Sequence, residues 1–210
     1  MSRLAPQPWM TSGAARRVMA ALDAARPDSA RFVGGCVRNA LLNQPVADID
    51  IATQLTPDQV ERAMLAAGIA AHPTGIEHGT LTVVAGHQPF EVTTLRRDVE
   101  TDGRRATVAF TEDWAEDAQR RDFRMNALSA TANGDVFDPT GGGLDDIAHR
   151  RIVFVGDAET RIREDYLRIL RFFRFYAWYG QGAPDAVGLA ACARLKAGLA
   201  VISAERIWME

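Results

Sequence analysis

An α/β head over residues 1–155, followed by an all-helical segment over 156–210, is the fold class this sequence predicts. Three observations carry that reading. Strand-like runs, RFVGG, DIDIAT, TLTVVAG and FEVTTLR, alternate with capped helical runs through the first part. From Leu167 on, apolar residues recur only at helical spacing: Leu167, Leu170, Phe173 and Ala177, then the run across 186–199. Gly156 falls between the two patterns and marks the boundary. With 210 residues, 47% of them hydrophobic and 24% charged, the chain can bury a sizeable core.

In chain order, Ser12 caps a first helix, GAARRVMAALDAA, and RFVGG is a strand that meets a glycine turn. GGCVRNALL opens a short apolar helix, and DIDIAT is the second strand. Thr56 followed by Pro57 supplies a cap with proline at the first helical position, and Gly68 closes that helix, over 57–67, at its far end. TLTVVAG and FEVTTLR pair through the GHQP turn. LRRDVETDGRRATV packs charge around a glycine without periodicity, so residues 96–106 are expected to form a mobile loop. WAEDAQRRDFRMNALSA reads as a helix leading into a strand, and Asn133-Gly134 is a hairpin signal between SATA and DVFD. After PTGGGLDDI the chain turns helical.

Charge and composition exclude several functions. The net charge is -3, so any nucleic-acid contact must come from a local patch. Lys196 is the only lysine and stands in a plain helical run, which excludes a Walker P-loop and a self-adenylylating ligase. No His-Asp dipeptide occurs, which counts against a metal phosphohydrolase. Cys36 and Cys192 are far apart and the four histidines do not cluster with them, so neither a disulfide framework nor a structural zinc is expected. There is no apolar run of membrane-spanning length, and the first residues lack the apolar core of a signal peptide. The reading is a cytoplasmic protein without a membrane partner.

Five constellations carry chemistry. On a strand, Asp48 and Asp50 point one way while Ile49 and Ile51 point into the core. Such a pair is either a solvated strand face or a cation site, and Mg²⁺ bridging to phosphate is the usual occupant. Gly34 and Gly35 let backbone N–H groups approach a triphosphate, with Arg38 one helical turn on as a countercharge. Glu91 is a third carboxylate on a strand that can lie beside DIDIAT. Arg120, Arg121 and Asp122 form either a helix-end ion pair or a ribose and phosphate site. In EDYLRILRFFRF, Asp165 shares a helix face with Arg168, Arg168 with Arg171, and Arg171 with Arg174. By itself that is a solvated ion-pair stripe opposite Leu167, Leu170 and Phe173.

Taken in order, GGCVRNALL, DIDIAT, EVTTLR, RRDFRMNAL, DPTGGGLDDI, EDYLRILRFFRF and SAERI resemble the successive motifs of the class II tRNA nucleotidyltransferase and bacterial poly(A) polymerase family. The resemblance runs from Arg31 to the last residue. It implies a polymerase-β-like nucleotidyltransferase head with a mixed sheet, then a helical neck. It implies that Asp48 and Asp50 ligate Mg²⁺, that Glu91 assists them, and that Gly34, Gly35 and Arg38 hold the triphosphate. Arg121, Asp122 and Asn126 fall in the nucleotide-binding set on the same ground. The helix carrying Asp165, Arg168, Arg171 and Arg174 becomes a protein template, in which the acid accepts from the amino group of cytosine or adenine and the arginine donates to the ring. The implied reaction is attack of an RNA 3′-hydroxyl on the α-phosphate of ATP or CTP with loss of pyrophosphate, assisted by two Mg²⁺.

Two positions depart from the family's usual pattern, and a third bears on the choice within it. Asn39 stands where the GGxVRD motif has aspartate, and Arg124 where RRDFT has threonine. Ala47 precedes the first aspartate, where bacterial poly(A) polymerases usually carry a basic residue. The expectation is therefore CCA addition to tRNA from CTP and ATP, with poly(A) addition as the alternative and an inert nucleotide- or RNA-binding fragment as a third reading. The sequence stops at SAERIWME, inside the last motif, so the gene product is expected to be longer.

Overall fold

The structure is a computed structural model and describes residues 2–102 and 105–210. A short edge strand, β1 (Ser2–Arg3), leads through α1 (Pro8–Thr11) into α2 (Gly13–Ala25), whose first turn is capped by the Ser12 hydroxyl accepting from the Ala15 amide. Then come β2 (Ala30–Val33), α3 (Gly35–Leu41), β3 (Asp50–Thr53) and α4 (Pro57–Ala66). In α4 the Gln59 side chain accepts from the Thr56 amide, Pro57 occupies the first turn, and Gly68 follows at a φ of 65°. The strands β4 (Ala70–Gly75), β5 (Thr80–Ala85) and β6 (Gln88–Thr94) follow as a meander. Gly86 and His87 both have positive φ, the requirement of a tight two-residue hairpin turn between β5 and β6.

Beyond them lie β7 (Arg96–Asp102), β8 (Arg105–Phe110), α5 (Trp114–Gln119), a 3₁₀ turn (Arg124–Asn126), β9 (Ser129–Ala130) and β10 (Asp135–Phe137). The remainder is helical: α6 (Gly143–His149), α7 (Ala158–Glu164), α8 (Leu167–Tyr179), α9 (Ala186–Leu195), a 3₁₀ run (Lys196–Val201) and α10 (Ala204–Met209). Among the described residues the main sheet has eight strands in the order β1-β10-β9-β2-β3-β6-β5-β4. It is mixed, because β3 and β6 run parallel while the other neighbours are antiparallel.

Alternation along the strands divides the sheet into two faces. Phe32, Ile51, Leu81, Val83, Phe90 and Val92 fill one face together with Val18 and Leu22 of α2 and Val60 and Met64 of α4. Full burial of each large side chain contributes about 1.5 to 3 kcal/mol, so this face holds the head together. The other face carries a smaller cluster of Val33, Ala52 and Leu95 under Trp114. Asp50 lies on that second face, one strand position pair from Ala52, and so is left open to a cleft.

Three sequence expectations need correction. Asp48 is not in β3, which begins at Asp50: the partner strand β2 ends at Val33, opposite Asp50, so Asp48 has nothing to pair with on that side. Residues 96–106 are not an irregular loop, because β7 and β8 form their own antiparallel pair. That pair stands apart from the main sheet, and the run of charges in RRDVETD is why periodicity missed it. The part of the loop expectation that falls on Gly103 and Arg104 lies outside the described residues. Finally, α8 buries Ile169, Phe172 and Phe175 rather than the row of Leu167, Leu170, Phe173 and Ala177, and Phe173 is 48% exposed. The helix is apolar on two rows, and the row that meets Phe123 and Phe154 of the head is the buried one. Among the described residues no helix is long and apolar enough to cross a membrane.

Candidate active site

The site begins where β2 ends. Gly34 turns the chain at a φ of 67°, a conformation that L side chains rarely adopt. A Cβ there would also stand 3.2 Å from Arg121 Nη1 and 3.8 Å from Asp50 Oδ2, so the missing side chain opens a cradle between a cation and an acid. At Gly35 a Cβ would lie 3.6 Å from Arg38 Nη2.

The β3–β6 register sets Asp50 beside Glu91. Burial is the main cause that pushes the Asp50 carboxyl up to about 6, with Glu91 and Asp48 adding to it and Arg121 opposing. Asp48 is exposed just before the strand. Among the described residues no three His, Cys, Asp or Glu side chains converge closely enough to hold a metal by themselves. Asp50, with Glu91 and Asp48 near enough to raise it, is nonetheless an all-oxygen, like-charged donor set. That chemistry fits Mg²⁺, which takes one or two carboxylates and leaves its other positions to water and phosphate.

The arginines divide into held and available. Arg120 pairs with buried Asp117 at 2.9 Å, so the helix-end ion pair uses Asp117 and not Asp122, the acid that the sequence suggested. Arg121 reaches the same Asp117 at 3.3 Å and the Asn126 carbonyl at 3.4 Å, both long contacts that leave its Nη1 facing Gly34. Arg38 is buried. Its Nε and Nη2 donate to Asn39 Oδ1 at 3.0 and 2.8 Å, Nη1 to Asn126 Oδ1 at 2.6 Å, and Nη2 to the Tyr179 hydroxyl at 2.9 Å. It also lies over the Tyr179 ring at 4.4 Å. Asn126 passes the chain of bonds on to Asp122, whose other oxygen accepts from Arg171 Nε at 2.9 Å and Nη2 at 2.5 Å. Burial pushes the Asp122 carboxyl up, but Arg171 and the donated hydrogen bonds outweigh it and hold the acid below the usual carboxylate range.

On the neck side, and against the sequence expectation, Asp165 does not share a helix face with Arg168: it is extended at the junction between α7 and α8, where it accepts from the Leu167 amide at 3.1 Å and from Arg206 Nη2 at 2.7 Å. Arg168 Nη1 donates to Glu164 at 2.6 Å and to the Arg161 carbonyl at 2.7 Å. Both side chains are thus fixed in orientation and keep spare bonding positions for a planar ligand. Arg171 and Arg174 share Glu210, the latter at 2.6 Å.

Gly34, Gly35, Arg38, Asp50, Arg121, Asp122, Asn126, Asp165, Arg168 and Arg171 line one cleft of about 610 Å³ between sheet and neck. Asp48, Glu91 and Arg174 stand outside its lining: Glu91 on the neighbouring strand, Arg174 turned to Glu210 and the Trp178 ring. Sequence reasoning did not single out Arg96, Phe175 or Arg206, which also line it, nor Tyr179, which anchors Arg38. Both arginines lie inside quoted motifs, Arg96 in EVTTLR and Arg206 in SAERI, but nothing local assigned them a partner, and only the fold brings α10 to α8. Arg124, the departure after RRDF, has a structural explanation. It holds fully buried Asp146 through Nε at 2.7 Å and Nη2 at 2.8 Å, and a Cβ on Gly142 would stand 2.7 Å from its Nη1.

Residues 30–153 match the family described as the Poly A polymerase head domain. The chain belongs to the Poly A polymerase head-domain family. This head-domain protein is 46% identical over 183 residues to CCA tRNA nucleotidyltransferase 1, mitochondrial, of Homo sapiens, a match that covers 86% of the chain and 42% of that relative. It is similar to the crystal structure of Bacillus stearothermophilus CCA-adding enzyme in complex with CTP, with a TM-score of 0.81 at 35% identity over 95% of this chain and 48% of that one. A tRNA nucleotidyltransferase complexed with a primer tRNA and an incoming ATP analog matches with a TM-score of 0.63 at 26% identity, over 81% of this chain and 48% of that one. The chain thus spans less than half the length of these relatives. The polymerase-β-like head with a mixed sheet, expected from the motifs, is the fold found.

Proposed function

We propose that this chain is the head (1–155) and neck (156–210) portion of a template-independent RNA nucleotidyltransferase, one that adds CCA to tRNA 3′ ends from CTP and ATP and releases pyrophosphate. The observation that carries the proposal is the single cleft that joins the Gly34 cradle and Asp50 to Asp165 and Arg168, in a chain whose fold matches a CTP-bound CCA-adding enzyme. A nucleotide needs both halves: cations and backbone N–H groups for its phosphates, and a donor with an acceptor for its base.

In this reading Arg121 faces the phosphates at Gly34, and Asp50, Asp48 and Glu91 supply the carboxylates that would hold Mg²⁺. When bound, the metal supplies charge stabilisation for the attacking and leaving oxygens. Arg168 and Asp165 orient the base, since the ion pairs to Glu164 and Arg206 fix their planes before the nucleotide arrives. Asn126 and Asp122 hold Arg38 and Arg171 apart across the cleft floor. CCA rather than poly(A) addition is favoured by Ala47, which leaves the position before the aspartates without a basic residue. A cytoplasmic setting belongs to the same proposal: both cysteines are free buried thiols, which suits a reducing compartment.

Equilibrium competition among the four nucleoside triphosphates tests the site. CTP and ATP should bind at least about tenfold more tightly than UTP and GTP, the discrimination expected of a few oriented hydrogen bonds. Equal binding of all four, or of none, would refute the assignment.

A further inference from the structure

Arg38 is a cation buried without an acid of its own. Among the described residues it forms no ion pair, and its protein acceptors are all neutral: Asn39 Oδ1, Asn126 Oδ1 and the Tyr179 hydroxyl. Asp122, the carboxylate whose field it feels, spends Oδ1 on Asn126 and the Phe123 amide and Oδ2 on Arg171. Arg174 adds a repelling charge, and burial pulls the Arg38 guanidinium below its ordinary value. A buried charge with hydrogen bonds but no counterion is costly unless a ligand supplies the opposite charge.

The residue that keeps Arg38 uncompensated is Asn39. Its Oδ1 takes two of the guanidinium's N–H groups, which an aspartate would also do, but its Nδ2 donates to the Pro45 carbonyl at 2.8 Å, which an aspartate cannot do. The Asn39 amide is therefore oriented from outside the cleft by a backbone acceptor, and it offers Arg38 geometry without charge. Arg38 itself lines the cleft, its Nη2 beside the Gly35 backbone.

We propose that Asn39 sets the electrostatic strength of the phosphate end of the cleft. By satisfying Arg38 with a neutral oxygen it leaves one unbalanced positive charge behind Gly35 for an oligophosphate to neutralise. Asn39 acts through Arg38 and is a positioning residue that touches no ligand. The inference rests on the cleft being a nucleotide site, and it assigns to position 39 the affinity for triphosphate and for the pyrophosphate product alike.

The test is titration of the intact chain with inorganic pyrophosphate in Mg²⁺, by calorimetry, across a salt series. Asn39→Asp should bind pyrophosphate about tenfold more weakly than wild type, as expected for one added charge a few ångströms behind the site, and with a shallower salt dependence. Its contact with the Pro45 carbonyl is exposed, so the substitution is not expected to prevent folding. Asn39→Ser, which removes the amide but adds no charge, should lose no more than about threefold. Equal affinity of wild type and Asn39→Asp would overturn the inference, as would no pyrophosphate binding by wild type. A tenfold loss in Asn39→Ser would overturn it as well, because the effect would then belong to hydrogen bonding rather than charge. No RNA enters the test, so pyrophosphate binding as expected in a chain that extends no tRNA would sink the proposed function and leave this inference standing.

Discussion

Asp50 is where folding and function pull against each other most directly. Its carboxyl, raised to about 6 by burial, Glu91 and Asp48, binds a proton more tightly in the folded chain than in the unfolded one, where an aspartate titrates near 3.9. Ionisation therefore costs stability as the pH rises from about 4 to about 6, and the cost persists above that range. Asp50→Asn in EDTA should raise stability at pH 7.5 by about 1 to 3 kcal/mol, the order of magnitude of such a shift, and the gain should vanish at pH 4. Urea titrations at the two pH values measure it, and an unchanged or lower midpoint at pH 7.5 would contradict the electrostatic reading. The same variant, and Asp48→Ala, should lose nucleotide transfer by more than a hundredfold if both carboxylates serve a metal; activity within tenfold of wild type would remove them from that role. At the base end, Arg168→Ala should weaken the preference for CTP and ATP over UTP and GTP by about ten- to a hundredfold, since a hydrogen bond to a charged group is worth about 1.5 to 3 kcal/mol. Affinity for pyrophosphate should be unaffected. A preserved ranking of the four nucleotides would return Arg168 to a purely structural pairing with Glu164.

Among the elements, α8 bears the greatest structural demand, because one row of it closes the head core and an adjacent row lines the cleft. Phe172 is fully buried and stacks on Phe154 at 5.6 Å between ring centroids. Phe172→Ala should cost about 3 to 5 kcal/mol, a cavity-scale loss that denaturant unfolding would register; a cost below 1 kcal/mol would mean the row is not packed as described. The helices and strands with local signals were legible in the sequence: the Ser12 cap, the Thr56-Pro57 start, the Gly86-His87 turn and the Asn133-Gly134 hairpin each have a short-range physical cause. The β7–β8 pair was not, because the charge of its first strand, RRDVETD, leaves no apolar alternation to mark it. The buried row of α8 was not legible either. With Leu167, Ile169, Leu170, Phe172, Phe173 and Phe175 all apolar, the helix has no single apolar stripe, and only the position of Phe123 and Phe154 selects one. In the site, the glycines and acids were readable as motifs, whereas Tyr179 and Arg206 come from residues remote in sequence from the groups they hold, Arg38 and Asp165.

At the scale of the whole molecule, the bond between Asp122, just after α5, and Arg171 of α8 joins the two sides of the cleft. Asp122 is held below its ordinary value, so its contribution is full above the unfolded aspartate range and is lost as the pH falls through the folded value, below about 4. Asp122→Asn should cost about 1 to 3 kcal/mol at pH 7, because Arg171 loses its close partner and keeps only the longer contact to Glu210 at 3.4 Å, and the difference from wild type should shrink in acid. A difference that stays constant from pH 7 to pH 3 would contradict that assignment. The central claim, that one cleft takes phosphates at Gly34 and reads a base at α8 in order to extend RNA, is tested most directly by transfer itself. Incubated with Mg²⁺ and a tRNA lacking its 3′ end, the chain should add C twice from CTP alone and then A once ATP is supplied, with sequencing of the product ends as the readout. A long A-tail, or extension from UTP and GTP as readily as from CTP and ATP, would contradict the account.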